Sequence, residues 1–397
     1  MKHFALLLFF IPFSLFLPTT SAQVFNDPAF KATVQSGLDL MYNMEYDQAE
    51  QVFEKITIEF PTHPAGPFMK GMNRWWQTYI SVNTPTYYDF IEDQIEVALT
   101  KNKDLDGTPS LEQEQTFFSF MSYALLGRLH AYRKEYFAAI GSARKVISPL
   151  KSSLKYVGEQ PEFYMVAGLY HYYVATYGDF YPIVRPLMYF FPDGDKDLGL
   201  IELQQAASTP SFTQVEAGFF LGYIYLDELP DLPKGLKITK QLFDKYPRNT
   251  WFESDYARGL MMNGQIAAGE KIIDHLIATY EAQAGHTTRN INSLESRYTT
   301  HLMIKVYHYK GFAMLFEYND FAKALEYFET SNHMAELALV KEDVYLAGNS
   351  YYKGVCYDNL DQRGKAIQSY ELTLDMNDNY YYKADAKKNL KEPHLME

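Results

Sequence analysis

A repeated spacing of small residues constrains this chain more than any other feature of its sequence. Three glycines are each followed by an alanine twelve positions later: Gly37 by Ala49, Gly127 by Ala139, and Gly354 by Ala366. In the first and third copies an aromatic ring follows four positions after the alanine, at Phe53 and Tyr370. A spacing that returns along most of a 397-residue chain indicates an internal structural repeat.

The spacing has a simple physical meaning for two antiparallel helices. A glycine or alanine where two helices cross lets their backbones approach, and a large apolar side chain fills the groove beside it. Proline after the second helix, as at Pro61 and Pro247, ends the hydrogen-bond ladder. Between these positions, apolar residues recur at helical spacing over segments longer than typical strands. We therefore predict an all-α fold built from helical hairpins.

The small-residue, aromatic and proline positions together resemble those of the tetratricopeptide repeat (TPR) family. Segments 44–49 and 318–328 are similar to the second helix of that repeat. The resemblance implies a solenoid of about eight hairpins over residues 23–390, with insertions near 101–113, 178–196 and 285–296 and a C-terminal tail at 391–397. Gly168 and Gly259 lack an alanine at the expected position. A non-repeating helical bundle is therefore the alternative.

Residues 1–22 are typical of a cleaved signal peptide. Lys2 and His3 precede a run of fourteen mostly apolar residues, 4–17, and the small residues 20–22 offer a cleavage site. The run is shorter than the ~20 residues that a membrane-spanning helix needs. We predict a periplasmic or secreted protein whose mature chain has no stable membrane span. Peripheral association with the cell envelope stays open.

The charge and the cysteine content of the chain limit which partners it can bind and which cellular compartment it suits. The chain has 36 Lys and Arg against 49 Asp and Glu, a formal charge of −13, and no basic block. This balance argues against nucleic acid as a partner, because nucleic-acid affinity depends on clustered cations. The single cysteine, Cys356, excludes an intramolecular disulfide. Export without a disulfide favours a bacterial periplasm.

Sequence motifs for catalysis and for cofactors are absent from the sequence. It contains no H-E-x-x-H, no phosphate-binding P-loop and no G-x-S-x-G turn, and its 10 histidines are scattered. Cys356 lies within a predicted helix, where a small buried apolar role fits best. We predict no enzymatic activity, no catalytic residue, no metal and no cofactor. A hydrolase with catalytic groups on distant helices is the weakest alternative.

Two acidic loops carry oxygen ligands at alternate positions. Residues 102–107 begin like a calcium-binding EF-hand loop, but the twelfth position holds Gln113 rather than glutamate. Residues 193–197 also alternate, without the glycine at the sixth position. The simpler interpretation is that an aspartate in such a loop caps the helix that follows. Calcium binding stays open at this level.

The first helices of stacked hairpins line a concave groove, and this geometry selects the candidate binding residues. Counting from each glycine gives ten positions that we expect to face the groove: Tyr42, Phe68, Met72, Trp76, Arg128, Tyr132, Tyr173, Tyr223, His308 and Tyr351. The set is aromatic and nearly uncharged. It therefore suits an extended peptide or a helix of another protein.

We predict from this surface a non-enzymatic scaffold of the cell envelope that captures a protein or peptide in its aromatic groove. A module that binds a small molecule or a glycan through stacked tyrosine and tryptophan rings is the main alternative. The aromatic-rich stretch 163–191 has two interpretations. It is either core packed over the array, which we favour, or part of the binding surface.

Overall fold

The computed structural model describes residues 23–81, 85–105, 107–180, 193–284, 294–341, 343–376 and 382–396. Every regular element in these ranges is helical, which confirms the predicted all-α class. No helix among them is both long enough and apolar enough to cross a membrane. The predicted signal peptide lies outside the described residues. So do most residues of the predicted insertions near 178–196 and 285–296.

Seventeen α-helices make up the described chain. They are α1 Pro28–Tyr42, α2 Tyr46–Glu59, α3 Ala65–Ser81, α4 Pro85–Lys103, α5 Glu112–Tyr132, α6 Tyr136–Ser153, α7 Glu162–Phe180, α8 Lys196–Ser208, α9 Gln214–Tyr223, α10 Leu232–Lys245, α11 Thr250–Met262, α12 Ile266–Ala284, α13 Leu294–Phe316, α14 Phe321–Leu337, α15 Val344–Asn359, α16 Arg363–Asp375 and α17 Lys383–Asn389. Helices that follow one another in sequence pack side by side, as consecutive pairs.

The glycine positions mark close crossings within three of these pairs. A Cβ atom on Gly37 would overlap the ring of Phe53, and a Cβ on Gly354 would overlap the ring of Tyr370. Gly311 stands in the same relation to Phe328. These contacts confirm that a small residue and a large ring meet where the helices cross. Gly127 differs, since the nearest atom to its Cβ position is 3.7 Å away on Ser142.

The turns inside several pairs share one backbone conformation. The second residue after the first helix has a positive φ at Met44 (65°), Lys134 (61°), Gly264 (74°) and Asp361 (58°). At each turn the next N–H donates to a carbonyl five residues earlier, as from Glu45 to Leu40. This pattern satisfies carbonyls that the helix end leaves without an intrahelical donor. The recurring turn sends each second helix back along the first.

The array curls until its early and later parts touch. The Tyr246 hydroxyl donates to Asp39 at 2.8 Å, and Asn249 Nδ2 donates to the Tyr42 carbonyl at 2.8 Å. The ring of Trp76 packs edge-on against Phe219 at 5.4 Å between centroids. The inner side of α1 and α3 is therefore covered by the chain itself. An open groove along the whole array, as we expected, is not what the structure has.

Candidate functional site

A solvent-open cavity of about 1400 Å³ lies among the remaining first helices of the pairs. Its walls come from α9, α11, α13 and α15, and its rim from the end of α5 and the loop between α14 and α15. Eleven aromatic side chains line it: Tyr88, Tyr132, Tyr136, Phe219, Tyr223, Trp251, Tyr309, Phe312, Tyr345, Tyr352 and Tyr382. The aromatic, concave surface predicted for the first helices is present in this part of the array.

A π-helical turn, Ile224–Glu228, positions one charged group of the cavity. It follows α9 directly, and the Leu229 N–H donates to the Ile224 carbonyl five residues earlier. The extra residue in the turn rotates the chain, so Asp227 faces the cavity. Asp227 forms a two-point ion pair with Arg258, of which one hydrogen bond, from Nη1 to Oδ2, measures 3.0 Å. Both side chains are mostly buried.

A second ion pair lies behind the cavity wall. Lys305 on α13 is 1% exposed and contacts the Asp255 carboxylate on α11. Its Nζ lies 4.7 Å from the centroid of the Trp251 ring. Burial lowers the pKa of Lys305, and the attraction of Asp255 opposes that shift. Asp255 and Trp251 line the cavity, so Lys305 fixes two of its wall residues.

The tyrosine hydroxyls of the cavity are neutral hydrogen-bonding groups. Burial is the main cause that raises the pKa values of Tyr309 and Tyr345. His308, beside them, is 2% exposed, and its Nδ1 lies 2.7 Å from the Asn349 Oδ1. Burial lowers the pKa of His308 to about 4. At neutral pH the aromatic wall of the cavity thus presents neutral rings and hydroxyls. The acidic and basic side chains that also line it are Asp227, Arg258, Asp255, Asp343, Lys134 and Lys341.

Three of the ten predicted binding residues line this cavity. Tyr132 is 36% exposed at the end of α5, and Tyr223 is 39% exposed at the end of α9. His308 is the third, on the wall that α13 provides. Phe219 and Phe312, on the same faces of α9 and α13, also line it. The counting from Gly127, Gly222 and Gly311 therefore places side chains at the cavity.

The positions expected for the other seven need correction. Tyr42, Phe68, Met72 and Trp76 are each no more than 5% exposed, because later helices cover the inner face of α1 and α3. Tyr351 is buried against Tyr382, with 5.4 Å between the ring centroids. These five side chains belong to the core and do not line the cavity.

Arg128 and Tyr173 are half-buried and also lie off the cavity wall. The Arg128 guanidinium stacks 4.9 Å from the Trp75 ring centroid. It also attracts Glu216 and so opposes the burial that raises the pKa of that carboxyl. The interaction with Tyr173 opposes the burial that raises the pKa of the Glu228 carboxyl. Both residues hold neighbouring helices together.

Helix α11 supplies the residues that the sequence did not reveal. Trp251, Asp255 and Arg258 lie four and three positions apart, on one face of the helix, and all three line the cavity. Counting from Gly259 with the same offsets misses them. In α11 the residues that face the cavity stand at other distances from the glycine than they do in the other first helices. The sequence feature that could have located these residues is Asn249, whose side chain caps α11 by accepting from the N–H groups of Trp251 and Phe252. That cap fixes where the helix begins.

The remaining sequence candidates resolve into structural roles. Asp195 caps α8 by accepting from the Leu198 N–H at 3.0 Å, as the simpler interpretation of its loop required. Asn102 donates to the Gln115 carbonyl and the Ser119 hydroxyl; Asp106 lies outside the described residues. No group of three metal-ligating side chains with suitable geometry occurs within the described ranges.

Cys356 and three of the described aromatic residues in the stretch 163–191 also pack inside. Cys356 is fully buried, and burial raises the pKa of its thiol to about 12. This confirms its predicted role as a small apolar side chain. In the stretch 163–191, Phe163 and Tyr172 are fully buried and Tyr170 nearly so. Residues 181–191 lie outside the described part of the chain.

Comparison with known proteins adds no assignment to this geometry. No family model matches the chain, and no curated protein sequence matches it.

Proposed function

We propose that the protein is a non-enzymatic binding protein whose aromatic cavity holds an extended segment of a partner protein. The cavity itself is the observation that carries the proposal. Its volume of about 1400 Å³ exceeds the 300–1,000 Å³ that is usual for small-molecule sites. Eight tyrosines line it, and tyrosine combines a large contact area with a hydrogen-bonding tip.

The rim of the cavity supports a macromolecular guest. Tyr136 and Leu339 line the cavity and are 64% and 70% exposed. Phe137, next to Tyr136 at the start of α6, is 94% exposed. Large apolar side chains held in water are favourable contacts for a partner whose surface continues beyond the cavity. A small molecule confined to the cavity would leave them uncovered.

The proposed architecture is a TPR-like array of helical hairpins. The glycine crossings at Gly37, Gly311 and Gly354 and the recurring turn after the first helix support it. So does the arrangement in which first helices line the cavity. We also propose that the protein acts outside the cytoplasm as a scaffold in the cell envelope, on the signal-like sequence of residues 1–22.

Selection from a random peptide library displayed on phage tests the proposal. We expect wild-type protein to enrich peptides whose affinity falls about tenfold or more when Tyr223 or Tyr132 is replaced by alanine, because each removes an aromatic contact at the cavity. Tyr318→Ala is the matched control. Tyr318 is 53% exposed and lies off the cavity wall, so affinity should not change.

Two results would contradict this function. One is that the selected peptides bind the two cavity variants as tightly as wild type. The other is that peptides fail to enrich while oligosaccharides bind and quench the fluorescence of Trp251, which would favour the glycan-binding alternative.

A further inference from the structure

A second, smaller cleft of about 630 Å³ lies between α8, α9 and α10. It shares one side chain, Leu242, with the wall of the large cavity and otherwise has its own lining. Its volume falls inside the 300–1,000 Å³ range in which proteins hold small organic ligands. Unlike the large cavity, it has a single aromatic lining residue, Tyr225.

The charge of the cleft is opposite to that of the protein. Lys234, Lys237 and Lys245 line it from one side of α10, and its described lining contains no carboxylate. The whole chain carries a formal charge of −13. Three cations around one concavity in an acidic protein create a local positive potential, which attracts and orients an anion.

The three lysines differ in whether their ammonium groups already contact a polar side chain of the protein. Lys234 Nζ lies 2.7 Å from Asp231 Oδ2, and Lys245 Nζ donates to Gln214 Oε1 at 3.0 Å. Lys237 is exposed and has no hydrogen bond or ion pair within the described residues. Each ammonium carries three N–H donors, so Lys237 and Lys245 keep donors for a ligand.

The base of the cleft is apolar. Val215 and Leu242 are buried, Ile238 is half-buried, and Gly218 leaves room where a side chain would otherwise stand. Burial of a ligand's apolar part here would contribute roughly 25 cal/mol for each Å² removed from water. An apolar base under a cationic rim suits a ligand that is itself apolar at one end and anionic at the other.

We propose that this cleft binds a small amphiphilic anion, with its apolar part against Val215, Ile238 and Leu242 and its carboxylate or phosphate held by Lys237 and Lys245. The two headgroups share the chemistry that the lysines recognise. The site does not depend on the function of the large cavity.

A series of ligands with one alkyl chain and different headgroups tests the assignment by isothermal titration calorimetry on the full chain. Octanoate and octyl phosphate should bind, and the stronger of the two identifies the headgroup. Octanol and octylammonium should bind at least about tenfold more weakly, because they lack the charge that the lysines attract. Binding of octanol as tight as that of octanoate would overturn the proposal, as would the absence of binding by both anions.

Substitutions on one helix separate the cleft from general surface charge. Lys237→Gln should weaken the bound anion about fivefold, and Lys237→Gln with Lys245→Gln should abolish measurable binding. Lys240→Gln is the matched control, since Lys240 is paired with Asp244 and does not line the cleft. Equal affinity for Lys237→Gln and wild type would refute the site. Tyr223→Ala should leave anion affinity unchanged, so this proposal and that for the large cavity can fail separately.

Discussion

His308 combines a place on the cavity wall with almost complete burial. Its ring packs among the rings of Tyr309, Phe328 and Tyr345, and its Nδ1–H donates to Asn349. The Asn349 amide in turn donates to the Ser331 hydroxyl at 2.8 Å. This network accommodates the neutral imidazole and offers no counter-charge in contact with it. The protonated ring is therefore costly in the folded state.

The stability of the protein should depend on pH through this residue. The pKa of His308 is about 4 in the folded chain, against an ordinary value of 6.5. As pH falls from 6.5 towards 4, the unfolded chain takes up a proton that the folded chain does not. The free energy of unfolding therefore decreases by at most ~1.4 kcal/mol per pH unit from this group, and the effect levels off below pH 4.

Denaturant unfolding of wild type and His308→Gln from pH 4 to pH 7 measures that effect. The variant should show a shallower fall in stability across this range, whatever its stability at pH 7. His333→Gln is the control, because the side chain of His333 is 60% exposed. Parallel curves for wild type and His308→Gln would show that the histidine is protonated in the folded state.

At the level of single residues, the sequence predicted that aromatic side chains line a concave surface, but it predicted less well which of them do. Tyr132, Tyr223 and His308 were placed at a concave surface by counting from glycine, and each lines the cavity. Tyr42 and Trp76 follow the same rule but lie in the core. The repeat pattern specifies which face of a helix points inward. It carries no information on whether a distant segment covers that face.

At the level of helices, the crossings at glycine explain why the repeat needs a residue without a side chain. A Cβ built on Gly311 would lie 2.6 Å from the Phe328 ring, closer than atoms approach in folded proteins. Alanine there must displace either the ring or the helix. Gly141 on α6 has no atom within 4 Å of its Cβ position, so alanine is accommodated there.

Gly311→Ala should therefore lower the free energy of unfolding by about 1–3 kcal/mol through overpacking. Gly141→Ala should leave it unchanged or raise it by up to about 1 kcal/mol, because alanine is the better helix former. Chemical denaturation measures both. In a double-mutant cycle, Phe328→Leu should reduce the cost of Gly311→Ala, since the smaller side chain relieves the overlap. Additive effects would mean that the two residues do not meet at the crossing.

The elements were predictable because they depend on local rules. Helix starts at Asp27, Asp195, Asn249 and Asp343 follow from side chains that accept backbone N–H groups. The positive φ at Met44 and Lys134 was not predictable, because neither residue type favours it. The hydrogen bonds of the turn impose that conformation from outside the residue.

At the level of the whole molecule, the contact between α1 and the α10–α11 segment decides which part of the groove stays open. Asn249 has two roles there. Its Oδ1 accepts from the first N–H groups of α11, and its Nδ2 donates to the Tyr42 carbonyl. No sequence pattern predicts this contact, because it joins residues 207 positions apart.

Asn249→Asp tests the hydrogen bond to the Tyr42 carbonyl separately from the helix cap. Aspartate can still accept from the first N–H groups of α11, but it has no side-chain N–H to donate to Tyr42. The variant should lower the free energy of unfolding by about 1–3 kcal/mol, since the buried Tyr42 carbonyl would face a carboxylate in place of an N–H. Amides near residue 42 should also exchange faster with solvent. Arg248→Ala is the control at the same contact: Arg248 is 72% exposed and pairs with Glu45, so its loss should cost less than about 1 kcal/mol. Equal effects of the two changes would argue against a closing role for Asn249.

The same long-range contact sets an order of events for the newly synthesised chain. Tyr42 and Trp76 leave the ribosome early, whereas Phe219, Tyr246 and Asn249, which cover them, are translated much later. Through that interval the nascent polypeptide carries an uncovered aromatic surface. Such surfaces attract chaperones and promote aggregation. We therefore expect the first hairpins to need more protection during biosynthesis than the later hairpins, which are made when their neighbours are already present.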